Sequence, residues 1–348
     1  MAVAGCGTHS CRIVDRDGAT VSNADVLTSV EWSRVLDDTS AASVVVSPEG
    51  DCCERLGLVR AWRHSLLIYR DDSAPVWSGP VVDVRWHLGR VEISALDVSA
   101  WLARRVPHET IAFTNTDLAE IADWLITDAF APDDPGHSIV TVAPTRVRGA
   151  RNYTKNVGQA LDHLTDLADT GLDWTVLGRT FLLLPETHRE SVGRLSDVDF
   201  PEGLVVAEDG TALTTRWIVA GDEEGEVLGE AGGVHPYYGL LERYFEQTSI
   251  PDDASATAAA EAKLRASQPV PVFIDSQQVT ISPQAAVDVA HLVPGWCLDV
   301  TSAETCRTVS QRLKITGVTV TEEGGSGDDP GSESVQVQVA ATGTEASS

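Results

Sequence analysis

The pair His108-Glu109 has the residue types that open a zinc-protease helix, in which a glutamate activates a water molecule on a zinc ion held by two histidines. The second histidine must lie one helical turn after the first, so that both imidazoles face the same metal. The residue at that place is Ala112. The zinc-protease interpretation therefore fails.

Two carboxylates beside an aromatic ring are the minimum for a glycosidase site, and Asp71-Asp72 with Trp77 has those residue types. The chain holds 52 acidic residues, however, so neighbouring carboxylates arise often by chance. Asp71-Asp72 also falls in a predicted turn, where Asp is common because it suits the backbone. The favoured interpretation is a solvated turn, with Trp77 in the core.

A thiol beside an imidazole can act as a nucleophile and its base, and Cys52, Cys53 and His64 are candidates for such a pair. Spacing alone identifies no Asn or Asp to orient the histidine. A zinc site that gathers these thiols with Cys6, His9 and Cys11 lacks any C-x-x-C spacing. Neither a G-x-S-x-G elbow nor a phosphate-binding loop occurs. We predict no catalytic residue, no metal and no cofactor.

The composition is that of a folded and strongly acidic protein. Hydrophobic residues make up 43% of the 348-residue chain, enough to form cores. The formal net charge of −27 opposes binding to phosphate backbones and anionic membranes. No apolar run approaches the roughly 20 residues that span a bilayer, and the N-terminus does not resemble a signal peptide. We expect synthesis in the cytoplasm and no membrane anchoring.

Residues 1–105 alternate strand patterns with turns, which predicts a small β-barrel closed by a helix. A hairpin is expected around Asp15-Arg16-Asp17-Gly18, because Asp-Gly supplies the positive φ of a tight turn. Asp97 can cap the short closing helix. Further strands are predicted at 26–35, 42–47, 65–70, 76–86 and 91–96.

Residues 106–195 change to helical periodicity, which predicts an inserted α+β domain. Apolar residues recur at helical spacing over 117–130. A second helix is predicted to begin at Asn156 as its cap, to bury Val157 and to stop at Gly171. Two strands around Gly178 then form a hairpin.

Residues 196–341 return to strand patterns, which predicts a second β-barrel with an alanine-rich helix over 255–266. Residues 342–348 are predicted to be a frayed tail. The stretch 222–239 is rich in glycine and acidic residues, which predicts a loop that becomes ordered against a partner. The candidate partner-contact residues are Asp222, Glu223, Glu224, Glu226 and Glu230. The predicted fold class is mainly β, with two small tube-type β-barrels flanking one α+β domain.

Several segments, in this order, resemble the hub proteins of tailed-bacteriophage tail tips, also called minor tail or tail-associated proteins. Ser65-Leu66-Leu67-Ile68-Tyr69-Arg70, followed by Val76-Trp77-Ser78-Gly79-Pro80 and 91–97, looks like the first hub barrel. The helix and hairpin of 156–184 look like the inserted domain of that family. The segments 244–255, 292–296 and 313–320 look like its second barrel.

The resemblance implies a structural protein of the virion, synthesised in the host bacterial cytoplasm, rather than an enzyme. It implies a homotrimeric hub at the tail tip of a siphophage, around a channel through which DNA passes without specific binding. The implied partners are the distal tail protein ring, the tape measure protein and other minor tail or fibre proteins. The alternative is a carbohydrate-binding or cell-wall-hydrolysing tail protein, which needs exposed tryptophans and convergent polar groups in a pocket.

Overall fold

The computed structural model of the protein divides into two compact units. It describes residues 4–5, 7–24, 27–47, 55–71, 74–204, 206–208, 213–221, 226–246, 250, 252–267, 272–274, 278–303, 308–323 and 332–345. The first unit comprises Met1–Gly203, Ser276–Val300 and Arg312–Ala340. The second unit comprises Leu204–Asp275, Thr301–Gln311 and Ala341–Ser348. The domain boundaries drawn from the sequence, and the two barrels, stay predictions.

Strands dominate the described residues, which confirms the mainly β fold class. In chain order they are β1 (His9–Val14), β2 (Thr20–Ala24), β3 (Leu27–Val35), β4 (Ala41–Val46), β5 (Ser65–Arg70), β6 (Pro75–His87), β7 (Arg90–Leu96), β8 (Ile111–Asp117), β9 (Ser138–Thr141), β10 (Arg148–Tyr153), β11 (Leu172–Leu177), β12 (Thr180–Pro185), β13 (Ser191–Ser196), β14 (Val206–Glu208), β15 (Arg216–Ala220), β16 (Leu228–Gly232), β17 (Glu242–Glu246), β18 (Val272–Ile274), β19 (Gln278–Thr280), β20 (Cys297–Ser302), β21 (Val309–Glu323) and β22 (Ser332–Glu345). The α-helices are α1 (Leu118–Phe130), α2 (Ala160–Ala168) and α3 (Asp253–Ser267), and short 3₁₀ helices span Val98–Arg104, Asp197–Asp199 and Val289–His291. Among the described residues, no helix is both long and apolar enough to cross a membrane.

One large sheet organises the first unit. Its strands follow the order β13-β20-β21-β3-β4-β7-β6-β5-β1-β2, and β22 joins through β21 and β19. Buried and less buried side chains alternate along β4, β5 and β7, so one face of these strands forms the core. Strand β21 pairs antiparallel with β3, which brings the C-terminal strands against the N-terminal part of the chain.

The α+β part of the first unit has its own core. Helices α1 and α2 pack with the sheet β11-β12-β9, and the fully buried side chains include Leu125, Phe130, Leu164, Trp174 and Phe181. Strand β12 pairs antiparallel with β11 and parallel with β9. The helix predicted over 117–130 and the hairpin around Gly178 are both present.

The second helix begins later than the sequence predicts. Asn156 has a φ of 61° and Gly158 a φ of 78°, so the chain turns through left-handed conformations before the helix starts. Gln159 is the N-cap, and α2 runs from Ala160. Val157, predicted to be buried, is 56% exposed. The prediction was wrong because Asn suits both a helix cap and a left-handed turn residue, and the turn prevails here.

The second unit contains the three-stranded sheet β16-β15-β17 and the pair β14-β18. Strand β16 lies inside the stretch 222–239 that was predicted to be a loop, so that prediction is wrong for Leu228–Gly232. Strand β22 continues to Glu345, so residues 342–345 are not a frayed tail. Helix α3 confirms the alanine-rich helix, and it extends from Asp253 to Ser267.

Candidate interaction surfaces

The five acidic residues predicted to contact a partner do not share one environment. Asp222, Glu223 and Glu224 lie outside the described residues. Glu226 is exposed just before β16, whereas Glu230 lies on β16 with its side chain in solvent. A role in partner contact stays a prediction for all five.

Helix α3 and strand β16 approach each other closely because small residues face each other. A Cβ atom added to Gly229 would lie 2.1 Å from the backbone carbonyl carbon of Ala256. Ala256 and Ala260 are fully buried. A larger side chain at Gly229 cannot be accommodated without moving the helix backbone, so this packing fixes the position of β16.

Arg216, on the central strand β15, connects both neighbouring strands. Its guanidinium lies 2.7 Å from Glu230 on β16 and 2.7 Å from Glu242 on β17. The hydrogen bond to Glu230 and the charges of both glutamates raise the pKa of Arg216 above its ordinary value. Exposed ion pairs of this kind add little stability, but they favour one alignment of the three strands.

Large apolar side chains are exposed in the segment that runs from β16 to β17. Val234 is 75% exposed and Tyr237 is 84% exposed. We call this group the apolar edge; it consists of Leu228, Val234, Tyr237, Leu240, Leu241 and Tyr244. Leu228 and Tyr244 lie on the two outer strands of the sheet, and the other four residues lie in the segment between these strands. Sequence reasoning missed them because the flanking acidic residues and glycines suggested a loop, although the apolar run 237–241 was visible.

His9 joins three strands of the first unit through a buried side chain. Its Nδ1 lies 2.6 Å from Oε2 of Glu322 on β21. The Nε1–H of Trp32 on β3 donates to Nε2 of His9 at 3.1 Å. Because Nε2 accepts, the ring proton lies on Nδ1 and is donated to the carboxylate.

A second buried contact joins β5 to β22. Nε of Arg70 donates to Oε1 of Glu333 at 2.7 Å, and Nη2 donates to Oε2 at 2.7 Å. The backbone N–H of Gly7 also donates to Glu333, at 2.9 Å. Burial acts to raise the pKa of Glu333, but the hydrogen bonds from Arg70 and Gly7 outweigh it and hold the pKa below its ordinary value.

Asp37 connects the large sheet to the α+β part of the first unit. The N–H of Trp174 donates to Oδ1 of Asp37 at 2.7 Å, and the N–H of Asp37 donates to the carbonyl of Trp174 at 2.8 Å. Nearby, Lys314 forms an ion pair with Asp173 and donates to the carbonyl of Glu186 at 3.0 Å. Burial, assisted by the charge of Asp173, raises the pKa of Asp37 to about 7.

The residues considered for a glycosidase site are held in the fold by burial or by an ion pair, where the structure describes them. Trp77 is 3% exposed, so its ring belongs to the core and is not available for stacking on a sugar. Oδ2 of Asp71 lies 3.0 Å from Nη1 of Arg70. Asp72 lies outside the described residues.

The residues considered for a metal or a nucleophile are also dispersed. The N–H of His108 donates to Oδ2 of Asp128 at 2.6 Å, which ties the chain before β8 to helix α1. Cys11 is a buried thiol on β1. Cys52 and Cys53 lie outside the described residues.

No protein-family model and no curated protein matches this sequence, whereas several solved structures match the fold. The 43 kDa tail protein of prophage MuSo2 from Shewanella oneidensis aligns with a TM-score of 0.64 at 12% identity, over 96% of this chain and 98% of that chain. A tail protein from Neisseria meningitidis MC58 aligns with a TM-score of 0.60 at 12% identity, over 95% and 96%. This chain has the fold of phage tail proteins.

The phage-tail fold confirms the resemblance drawn from the order of the sequence segments. A type VI secretion component of Escherichia coli, itself structurally similar to the T4 tail proteins gp27 and gp5, also aligns, with a TM-score of 0.51 at 11% identity over 93% of this chain and 76% of that chain. At such identities the likeness shows the fold alone.

Proposed function

We propose that this chain is a structural, non-enzymatic subunit of a bacteriophage tail tip, where three copies form the ring-shaped hub around the DNA channel. The observation that carries the proposal is the phage-tail fold, which extends over 96% of the chain. In this proposal the ring belongs to a siphophage virion and contacts the distal tail ring, the tape measure protein and fibre or minor tail proteins.

The apolar edge supports a role in assembly. Each large apolar side chain left in water is unfavourable, by about 25 cal/mol for every Å² that an interface can bury. A symmetric ring of identical copies gives every subunit the same buried contact. An assembly function therefore explains why these apolar side chains are exposed on the single chain.

The proposal is tested by the mass of the purified chain in solution and by its place in the particle. Native mass spectrometry should find three copies of the 37.1-kDa chain, and gold-labelled antibody should bind intact phage at the tail tip only. A chain that remains monomeric at its highest soluble concentration, or a label along the tail tube or capsid, would contradict the proposal.

The apolar edge provides the matched variants for this test. The double variant Tyr237→Asp with Leu240→Asp should shift the population towards monomer. Leu88→Asp is the control, because Leu88 is fully exposed at the tip of the β6–β7 hairpin, away from the apolar edge in sequence. An unchanged trimer in the double variant would remove the apolar edge from the proposed interface.

A further inference from the structure

An open cleft in the first unit is lined by arginines that come from distant parts of the sequence. The space inside it that a water-sized group can occupy is about 50 Å³. Arg16 reaches it from the β1–β2 turn, Arg63 from the turn before β5, and Arg179 from the β11–β12 hairpin. Trp62 and Trp101 form part of the wall. We call this site the arginine cleft.

The arginine cleft is basic, although the chain as a whole is acidic. The chain has 25 Lys and Arg residues against 52 Asp and Glu residues, and Asp134 is the carboxylate in the lining. Arg16 pairs with Asp133 at 2.6 Å. In the part of the chain that the structure describes, no carboxylate lies in ion-pair contact with Arg63 or Arg179. The guanidinium groups of Arg63 and Arg179 can therefore bind an anionic ligand.

The turn that presents Arg63 is held from both sides. Trp62 has a φ of 61°, a conformation uncommon for a bulky residue, and its N–H donates to the carbonyl of Val81 at 2.7 Å. Nδ1 of His64 accepts the N–H of Arg60 at 3.0 Å. Such backbone conformations persist where surrounding contacts hold them, and they are enriched at binding sites. The backbone that carries Arg63 is thus fixed before a ligand arrives.

The chemistry of the lining favours a carboxylate as the ligand. Guanidinium groups bind carboxylates and phosphates through paired, charge-assisted hydrogen bonds. The net charge of −27 opposes binding to the dense phosphate charge of nucleic acids and anionic lipid surfaces. A neutral sugar would need a free aromatic face, but Arg104 lies 4.2 Å over the Trp62 ring and Trp101 meets that ring edge to face at 4.9 Å.

We propose that the arginine cleft binds acidic side chains of a neighbouring copy of this chain. The inference rests on the proposed function, because the ring places copies side by side. Each copy has 27 more negative than positive charges and therefore offers carboxylates on its surface. Guanidinium–carboxylate pairs across the contact would offset part of the repulsion between two acidic copies and fix their relative orientation.

The test compares two double variants that each remove two positive charges. Arg63→Gln with Arg179→Gln alters the arginine cleft, whereas Arg85→Gln with Arg90→Gln alters exposed arginines that pair locally with Asp83 and Glu92. Analytical ultracentrifugation over a dilution series should show self-association weakened by about tenfold or more in the cleft variant and by less than about twofold in the control. The difference in self-association strength between the cleft variant and wild type should become smaller at high salt, because screening weakens charge pairs. Circular dichroism checks that all variants are folded.

A binding experiment on wild-type protein identifies the ligand chemistry. Hexaglutamate should compete with self-association and should quench tryptophan fluorescence, whereas hexalysine should do neither. A sialylated trisaccharide that quenches at lower concentration than hexaglutamate would overturn the proposal in favour of an anionic glycan.

The outcomes separate the two proposals. A cleft variant that assembles as tightly as wild type overturns the carboxylate site and leaves the proposed hub intact. A wild-type chain that never self-associates overturns the hub, and with it a second copy as the occupant of the arginine cleft. Self-association that is weakened in the cleft variant but not in the control variant supports both proposals.

Discussion

At the scale of single residues, burial decides how much an ion pair matters in this protein. Arg70 and Glu333 are almost completely buried and share two hydrogen bonds, whereas Arg85 and Asp83 form a pair at 2.8 Å with both side chains about half exposed or more. Removing one member of a buried pair leaves a charge that has lost both water and partner. Distance alone does not distinguish the two pairs, but their surroundings do.

We predict that Arg70→Met lowers the free energy of unfolding by about 3 to 5 kcal/mol, because Glu333 keeps its buried charge but loses its positively charged partner. The control Arg85→Met should lower it by less than about 1 kcal/mol. Urea denaturation at pH 7 measures both. Equal effects of the two substitutions would show that water reaches the Arg70–Glu333 contact in solution.

Asp37 gives the stability a pH dependence of predictable sign. Its pKa is about 7 in the folded chain and about 3.9 in an unfolded chain, so the folded state binds the proton more tightly. The stabilising contribution is therefore complete below about pH 4 and is lost as the pH rises through 7.

We predict that Asp37→Asn removes this loss of stability with rising pH. The amide keeps an oxygen that accepts the Trp174 N–H, and Asn tolerates the φ of 59° at this position. Relative to wild type, the variant should gain stability of the order of 1 to 3 kcal/mol between pH 4 and pH 8. Asp38→Asn, at the exposed neighbour, should show no such gain. Parallel pH curves for wild type and Asp37→Asn would contradict the prediction.

At the scale of the elements, Asp117 does more than cap a helix. Its Oδ1 accepts the N–H of Ala119 at 3.0 Å, as an N-cap of α1 does, and also the N–H of Thr145 at 3.1 Å. Its Oδ2 accepts the N–H of Arg146 at 2.9 Å. One side chain thus holds the start of α1 and the loop before β10 together.

We predict that Asp117→Ala lowers the free energy of unfolding by about 2 to 4 kcal/mol, since it removes a cap and also leaves the N–H groups of Thr145 and Arg146 without their acceptor. Asp123→Ala, on the exposed face of the same helix, should change it by less than about 0.5 kcal/mol. Thermal and urea unfolding provide the measurement. A loss no larger than that of Asp123→Ala would show that water replaces the carboxylate at this cap.

The elements that could be predicted from the sequence are those with strong local signals. Helix α1 has a capping Asp and regular apolar spacing, and the β11–β12 hairpin has Gly178 at its turn. Strand β16 has neither signal, because Leu228–Gly232 contains two glycines and its three exposed positions include both Leu228 and Glu230. Leu228–Gly232 forms a strand because β15 pairs with it, and its own residues do not predict that pairing.

The candidate sites were harder to predict for a related reason. Arg16, Arg63 and Arg179 are brought together only by the tertiary fold, and each alone is an ordinary turn residue. The pairing of β21 with β3 likewise joins segments that are far apart in the sequence. The order of several weak segments was enough to predict the mainly β fold class and the likeness to phage tail proteins, but sites assembled from distant turns depend on the tertiary fold.

At the scale of the whole molecule, the excess negative charge needs an explanation that the fold does not supply. Solubility alone would be served by charge spread evenly over the outer surface. A channel for DNA adds a second requirement, because phosphate groups adhere to Lys and Arg and are repelled by Asp and Glu. These two explanations differ in where the acidic residues lie in the assembled particle.

For the ring proposed above, we predict that Asp and Glu outnumber Lys and Arg on the channel wall by more than their overall ratio of 52 to 25. DNA can then slide through the ring without forming the phosphate contacts that slow its movement. A symmetry-resolved electron microscopy map of the tail tip gives the wall residues directly. Phage in which two of those acidic residues are replaced by Lys should eject DNA more slowly, and the delay should shrink at high salt because screening weakens the new contacts. A wall lined mainly by Lys and Arg, with the acidic residues on the outside, would leave solubility as the explanation of the charge.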